Sequence, residues 1–577
     1  MIILGVNSYH PDSSAAVVID GRLIAACEEE RFCRVKHFSG LPLKAITYCL
    51  KEAGVSIEDV DYIAVPRDTK ARAFNKILYG IKMPSMARRR ILAWGKTFGI
   101  KESLAKAFDI DKSKIRAEIK KIEHHRAHLA STFFVSGFDK AFLFSADALG
   151  DFGSTAWGIG EGNSIKILGE VAFPHSLGFY YTAITQYLGF MNFGDEYKVM
   201  GLAPYGRPAY EDEFKKILKA ANGRFRLGLE YFLHHKKYID MNFENCYPRV
   251  DPIYSPYLEA RIGKARGRGE PLEKRHKDVA FCLQKRLEEV IFYLLSFLPK
   301  EKLSNLCLSG GVAHNCVVNG KLPDNTTFSN IYVPPAPGDA GLAIGAAMYL
   351  WNHIFKQPVR FKIDHAFWGP SYNNEEIKTE SDELIKRGCV AERIEDEDKL
   401  CERVASEIAA GKIIGWFQGR MEFGPRALGA RSILADPRKE GMKDILNAMV
   451  KRREEFRPFA PSILEEYTGE YFTHSHPSPF MSFAYNIRDE KRKAIPAVCH
   501  VDGTARLQTV NKNANRLYWK LIDRFRGITG IPVLLNTSFN ENEPIILSPK
   551  EAADCFLRNK MDLLVMGSIL IKRAGVI

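Results

Sequence analysis

The chain has 577 residues, of which 26% are charged and 46% hydrophobic, with a formal net charge of +13. This composition is globular and excludes a disordered, collagenous or coiled-coil protein, and at about 150 residues per domain the length allows four compact units or two large ones. The longest apolar runs, such as Val290–Leu298, fall short of the ~20 residues needed to span a membrane, and the eleven cysteines are scattered without a Cys-x-x-Cys pair, which fits a reducing cytoplasm.

The opening residues Met1–Gly5 read as the start of strand Ile2–Asn7, not as a cleaved leader. A polar turn at Ser8–Ser13 leads to strand Ala15–Asp20. Asp20-Gly21 is a two-residue hairpin signal, followed by strand Arg22–Ala26 and the acidic run Glu28-Glu29-Glu30. The same order recurs about 140 residues later. Apolar Ala141–Ala146 ends at Asp147, a turn at Gly150–Gly153 precedes strand Thr155–Gly160, and Glu161-Gly162-Asn163 turns into strand Ser164–Val171. Further on, strand Asn305–Leu308 runs into Ser309-Gly310-Gly311, and the Pro/Gly-rich turn Val333–Gly341 opens helix Leu342–Trp351. Glycine at such junctions lets backbone N–H groups approach a phosphate. Two related halves with facing hairpins are the layout of an actin-like nucleotide-clamping fold.

Pro358 and Pro370 mark a linker around Gln357–Gly369. A second unit follows, with helix Asp396–Ala410, strand Lys412–Phe417, the stretch Gln418–Arg438, a helix near Lys443–Val450 and strand Pro532–Leu535, an α/β or α+β mixture. The basic excess concentrates at Arg88-Arg89-Arg90, Lys112–Lys121 and Arg261–Lys277, runs that read mostly as solvated helix faces.

Two constellations carry chemistry. On a helix, His124 and His128 share one face (i, i+4), the spacing that lets two imidazoles reach one metal. Asp147 at a strand end and Asp339 at a helix start can project into a cleft, and a His/His/Asp/Asp set suits iron(II), zinc or manganese. The second is Gly419–Ser432 together with Lys451–Pro461, where cations alternate with glycine, proline and aromatic residues. Arginine forks in rigid loops bind phosphate or carboxylate at two points. Nucleic acid is not expected there, because stacking platforms are few.

These motifs resemble the O-carbamoyltransferases of nodulation-factor and antibiotic biosynthesis. The matching stretches include Asp12–Ala16, Glu28–Phe32 with Lys36-His37, His124–His128, Glu196–Gly206, Ser309–Asn315, Gly424–Ser432, Lys451–Pro461, His500–Arg506 and Asn536–Asn540. The resemblance implies a duplicated actin-like ATPase (ASKHA) fold over residues 1–356 and a YrdC-like α/β domain over 366–577. It implies two stages: carbamoyl phosphate and ATP, with magnesium, give carbamoyl-adenylate in the second domain, and the carbamoyl group passes to a small-molecule or glycan hydroxyl in the first. Carbamoyl-adenylate hydrolyses easily, so it should travel away from water. Matched position by position, His124, His128, Asp147 and Asp339 would bind the metal, iron(II). His10, Asp12 and Lys36 would line the transfer site, with His10 as base, although Pro11 separates a His-Asp pair that the family has adjacent. Lys198, Gly201, Gly310, Gly311 and Asn315 would contact the nucleotide. Arg426, Arg431, Lys451, Arg453, Arg457, Arg506, Asn536 and Ser538 would form the carbamoyl phosphate and ATP site. Rival readings are a tRNA-threonylcarbamoylating fusion on the same folds, a sugar kinase, and a non-catalytic nucleotide-binding module.

Overall fold

The computed structural model describes residues 1–82, 99–236, 241–299 and 301–574; the basic triplet Arg88–Arg90 lies outside them. The chain divides into two compact units, residues 1–318 with 322–363, and residues 319–321 with 364–577.

The first unit is built on two five-stranded sheets. One holds β1 (Ile2–Asn7), β2 (Ser14–Ile19), β3 (Arg22–Glu28), β4 (Tyr62–Val65) and β5 (Glu118–Lys121), in the order β3-β2-β1-β4-β5. The other holds β6 (Lys140–Gly150), β7 (Gly153–Glu161), β8 (Ser164–Ala172), β9 (Asn305–Ser309) and β10 (Asn330–Tyr332), in the order β8-β7-β6-β9-β10. In both, the first three strands run antiparallel and the last two join parallel. The repeat read in the sequence is therefore a repeat of topology.

The hairpins form for local reasons. Asp20 and Gly21 take φ of +48° and +79°, and positive φ at both central residues matches the right-handed twist of the flanking strands. The β6–β7 turn does the same with Asp151 (φ +47°) and Phe152 (φ +71°), two residues without glycine's freedom. Strand β6 runs past the expected end at Ala146, because a bulge between Ala146 and Gly150 carries Asp147 within it.

Between the sheets lie two helices. Helix Leu342–Met348 packs against β1 and β2, and helix His124–Phe133 packs against β6 and β9 and against the first helix. Leu342–Met348 is buried all round, as a helix apolar on every face must be. The acidic run also has a local purpose. Buried Arg31 pairs with Glu28 and Glu30 at 3.3 and 2.9 Å, while the Glu29 carboxylate accepts the N–H groups of Lys44 and Ala45 at 3.2 and 2.8 Å, capping helix Leu43–Ala53.

The second unit is mixed α/β on one nine-stranded sheet. In chain order its strands are β11 (Cys389–Arg393), β12 (Ile414–Phe417), β13 (Arg431–Ala435), β14 (Ala460–Leu464), β15 (Phe483–Asn486), β16 (Thr504–Val510), β17 (Val533–Ser538), β18 (Leu563–Met566) and β19 (Ile569–Arg573). They lie in the order β11-β19-β18-β12-β13-β17-β14-β16-β15. Helices Glu397–Ala409 and Arg516–Thr529 pack together over a core that includes Val404, Trp416, Leu434 and Phe525. The stretch Gly419–Ser432, read as loop-like, differs at its end: Arg431 and Ser432 already belong to strand β13, paired to β12 and β17.

Candidate functional site

Close backbone approach builds the first site. A methyl group on Gly345 would lie 2.0 Å from the carbonyl oxygen of Ala127, and one on Gly5 would lie 1.9 Å from that of Ala343. Only glycine permits these contacts. They press helix Leu342–Met348 onto helix His124–Phe133 and onto β1. The turn before the first helix is pinned as well: Ser14 Oγ donates to the Ala340 carbonyl at 2.7 Å, and Asn7 Nδ2 donates to that of Asp339 at 3.1 Å. Helix His124–Phe133 is capped by Glu123, which accepts from the Arg126 N–H, and Asp151 accepts from the His124 N–H at 3.1 Å.

The result is a tight cluster. His124, His128, Asp147 and Asp339 each place a ligand atom within 4.8 Å of the others. His128 Nε2 lies 2.9 Å from Asp147 Oδ2 and 3.4 Å from Asp339 Oδ1. His124 Nε2 and Asp339 Oδ1 are buried without a hydrogen-bond partner among the described residues. Two nitrogens and two carboxylates converging on a shared point, with buried atoms left unsatisfied, fit a divalent cation. Burial by itself would lower the His128 pKa, but the Asp147 and Asp339 carboxylates outweigh it and raise it to about 9. Behind the ligands, the His124 ring lies over Gly150, where a methyl would come within 2.0 Å of it, and His125 Nδ1 is 3.0 Å from Ser145 Oγ.

The residues expected to line the transfer site separate into two pairs. His10 Nδ1 lies 2.6 Å from Asp339 Oδ2, so His10 joins the metal-type cluster. Asp12 does not pair with His10; its Oδ1 is 2.7 Å from Nδ1 of His37. Lys36 is half-buried beside His37. Asp12, Glu30 and His37 also bring ligand atoms together, but Glu30 already accepts from the His37 N–H at 2.8 Å and pairs with Arg31, and Asp12 engages His37 Nδ1, so the contacts within this trio are hydrogen bonds and ion pairs.

The residues expected at the nucleotide have visible structural partners. Gly310 has φ +85° and sits under the Ala146 carbonyl, which a methyl would approach to 2.2 Å. A methyl on Gly311 would lie 2.9 Å from Asp147 Oδ1, so this glycine borders the metal-type cluster. Asn315 caps helix Cys316–Asn325 through the Val318 N–H and exchanges hydrogen bonds with Gln284 at 2.8 and 3.2 Å. Lys198 pairs with Asp195 at 3.0 Å, and Gly201 lies in helix Glu196–Leu202.

In the second unit, helix Met442–Ile445 continues as a wider turn to Lys451. Lys451 is buried, and its ammonium donates to the Asn540 carbonyl and Oδ1, both at 2.7 Å, and to the Ser538 carbonyl at 2.5 Å. Burial, with Arg453 and Arg457 nearby, holds its pKa well below the usual lysine range. Arg453 stacks on Phe459 at 4.6 Å and donates to Asn447 Oδ1 at 2.7 Å, and Arg457 reaches Glu454 at 3.4 Å. Lys451, Arg453, Arg457 and Ser538 are thus brought together. Arg426 and Arg506 are half-buried, on the loop before β13 and on β16.

Like Lys451, Arg431 and Asn536 are interior. Arg431 is fully buried, stacks on Phe417 at 3.7 Å and donates to the carbonyls of Gln418, Gly419, Ala430, Pro370 and Leu547 at 2.8 to 3.5 Å; burial lowers its pKa to about 10. Asn536 Nδ2 joins a buried network with Ser462 Oγ, Gln508 Oε1 and the Ala427 carbonyl. Glu422, which no motif marks, is a further organiser of this loop: its buried Oε1 accepts the N–H groups of Leu428, Ala430 and Arg431 at 2.7, 2.7 and 3.2 Å. A glutamate two residues before a Gly-Pro loop was the available signal.

Both units carry matches to known families. Residues 2–348 match the family model described as carbamoyltransferase N-terminus, and residues 405–573 match carbamoyltransferase C-terminus. The nodulation protein NolNO of Sinorhizobium fredii is 41% identical over 98% of this chain and 80% of its own. The nodulation protein NolO of Bradyrhizobium diazoefficiens is 41% identical over 78% of this chain and 79% of its own. An uncharacterized protein of Synechocystis sp. is 39% identical over 99% of this chain and 97% of its own. Among solved structures, HypF of T. kodakarensis aligns over 62% of this chain and 48% of its own at 13% identity with a TM-score of 0.32, too loosely to carry an argument. The chain belongs to the carbamoyltransferase family and is a carbamoyltransferase enzyme.

Proposed function

We propose that the enzyme is an ATP-dependent O-carbamoyltransferase acting in two stages. In the second unit, a YrdC-like domain in this reading, water cleaves carbamoyl phosphate to carbamate and inorganic phosphate, and a carbamate oxygen then bonds to the α-phosphorus of Mg-ATP as the bond to pyrophosphate breaks, giving carbamoyl-adenylate. In the first, an actin-like domain, the carbamoyl group passes to a hydroxyl of a small molecule or glycan in the cytoplasm. The observation that carries the reading is the separation of two chemically distinct centres: a His/Asp cluster suited to a metal in one unit and a cationic loop system in the other.

Each centre suits its stage. Carbamate and triphosphate repel one another, and Arg453, Arg457 and the half-buried Arg426 and Arg506 supply positive charge that offsets this and steadies departing pyrophosphate. Lys451 fixes the Ser538–Asn540 turn beside them. In the first unit, His124, His128, Asp147 and Asp339 would hold the metal, iron(II) in this reading, and bound there it would polarise a carbamoyl or phosphate oxygen. Lys36 lies near the acidic network of Glu30 and Asp12, where it can orient the adenylate phosphate.

The test is direct. The purified enzyme is given ATP and carbamoyl phosphate, and pyrophosphate and AMP are measured separately. Pyrophosphate formed only when both substrates are present supports the reading; its absence, or ADP as the product, refutes it.

A further inference from the structure

We propose that His37, oriented by Asp12, is the base that takes the proton from the acceptor hydroxyl. This rests on the two-stage reading and names a residue for its second step. His37 Nδ1 lies 2.7 Å from Asp12 Oδ1. A carboxylate holding one imidazole nitrogen fixes the tautomer and leaves the other to act as base. Nε2 of His37 faces the backbone of Gly194, where a methyl group would lie 2.6 Å away, and Gly194 has φ +84°. A side chain there would press on the basic nitrogen, and glycine avoids that contact. Phe193 meets the ring edge-on at 5.1 Å, and the Glu30 carboxylate accepts the His37 N–H at 2.8 Å. The ring is held by Asp12 and Phe193 and its backbone by Glu30, while the side chain keeps 27% exposure.

The pair is tied to the metal-type cluster without belonging to it. Asn7 Nδ2 donates to the carbonyls of both Asp12, at 3.2 Å, and Asp339, at 3.1 Å. One amide therefore fixes the spacing between the pair's loop and a cluster residue. His10 stands differently: its Nδ1 is engaged by Asp339 Oδ2, whose other oxygen faces His128. The charged groups around His37 are Asp12, Glu30, Lys36 and Glu196. Burial lowers the His37 pKa, but Asp12 outweighs it and the net shift is upward.

In the step, the acceptor O–H bond breaks and its proton moves to His37 Nε2. The acceptor oxygen forms a bond to the carbamoyl carbon, and the bond from that carbon to the adenylate phosphate oxygen breaks, its electron pair leaving with AMP. The experiment uses the full chain with ATP and carbamoyl phosphate, water and glycerol serving as hydroxyl probes, and follows pyrophosphate and AMP separately. His37→Asn should keep the pyrophosphate burst and slow AMP release about a hundredfold or more. It should also remove the acid limb of the AMP-release pH profile. Asp12→Asn should move that limb to lower pH, and Gly194→Ala should slow AMP release with His37 intact. A His37→Asn enzyme that releases AMP at the normal rate with an unchanged acid limb overturns the proposal. A wild-type enzyme with no pyrophosphate burst overturns the two-stage reading itself, a different result.

Discussion

The Cα of Gly345 rests against the carbonyl oxygen of Ala127, so close that a methyl group would lie 2.0 Å from that oxygen. Ala127 stands between His124 and His128, and Gly345 stands six residues after Asp339. The contact therefore sets how near two histidines come to a carboxylate in the turn that opens the other helix. Gly345→Ala should force the helices apart and lower stability by about 1–3 kcal/mol, the range for overpacked cores. It should also weaken metal retention. Thermal unfolding and metal analysis of the same preparation check both. Unchanged values in both would show that the helices tolerate the methyl.

Gly311 borders the same cluster from another side. Because a methyl there would approach Asp147 Oδ1 to 2.9 Å, Gly311→Ala should reduce bound metal, as should His128→Ala and Asp147→Ala, while pyrophosphate release persists in all three. Elemental analysis of dialysed protein distinguishes this from a nucleotide-site role, in which the Gly311 variant would keep its metal and lose adenylate binding.

Lys451 and Lys36 should fail in opposite ways. Lys451→Ala leaves the carbonyls of Ser538 and Asn540 without their donor, so the turn that Lys451 fixes loosens beside Arg453 and Arg457. Buried acceptors left unpaired cost about 1–3 kcal/mol, on the order of a hundredfold in rate when the site's geometry is lost with them. Pyrophosphate release should fall by that factor, while AMP release from supplied carbamoyl-adenylate continues. Lys36→Ala should show the reverse. Equal loss of both activities in both folded variants would point to a single shared site.

Glu29 supplies a pH prediction. Burial raises its pKa to about 7, against the helix N–H groups that favour the charged form. The folded state then holds a proton that the unfolded chain releases between about pH 4.5 and 7. Stability contributed by the protonated form is complete below that window and declines as pH rises through it. The loss is at most about 3 kcal/mol for a shift of this size. Glu29→Gln imitates the protonated side chain, so it should match the wild type near pH 4 and exceed it at pH 8 in urea unfolding. A variant less stable at pH 8 would mean that the charged cap is favourable.

How much of this was legible varies by residue. The duplicated sheet could be read because Asp20-Gly21 announces its turn and because strand, turn and hairpin recur in order. The four-residue cluster could be read because an i, i+4 histidine pair has one geometric meaning on a helix. The pairing within Ser8–Ser13 could not. Tyr9 and Asp12 have φ of +56° and +58°, values that few non-glycine residues adopt. Those two reversals send His10 toward Asp339 and Asp12 toward His37, and no local pattern encodes them. Arg431 was obscured differently. Its neighbours Gly429 and Ala430 read as loop, and the strand it begins lies between β12 and β17, the latter about 100 residues away in the chain.

The loop from Gln418 to Arg431 has its amide groups sorted by two buried ions. Glu422 collects N–H groups and Arg431 collects carbonyls, so the loop's conformational entropy is surrendered when the protein folds and not when a ligand arrives. Association at this loop should consequently resemble docking to a rigid surface. Its heat-capacity change should reflect only the ligand's own desolvated area, and its association rate should follow the charge on the surrounding arginines, falling as salt is added.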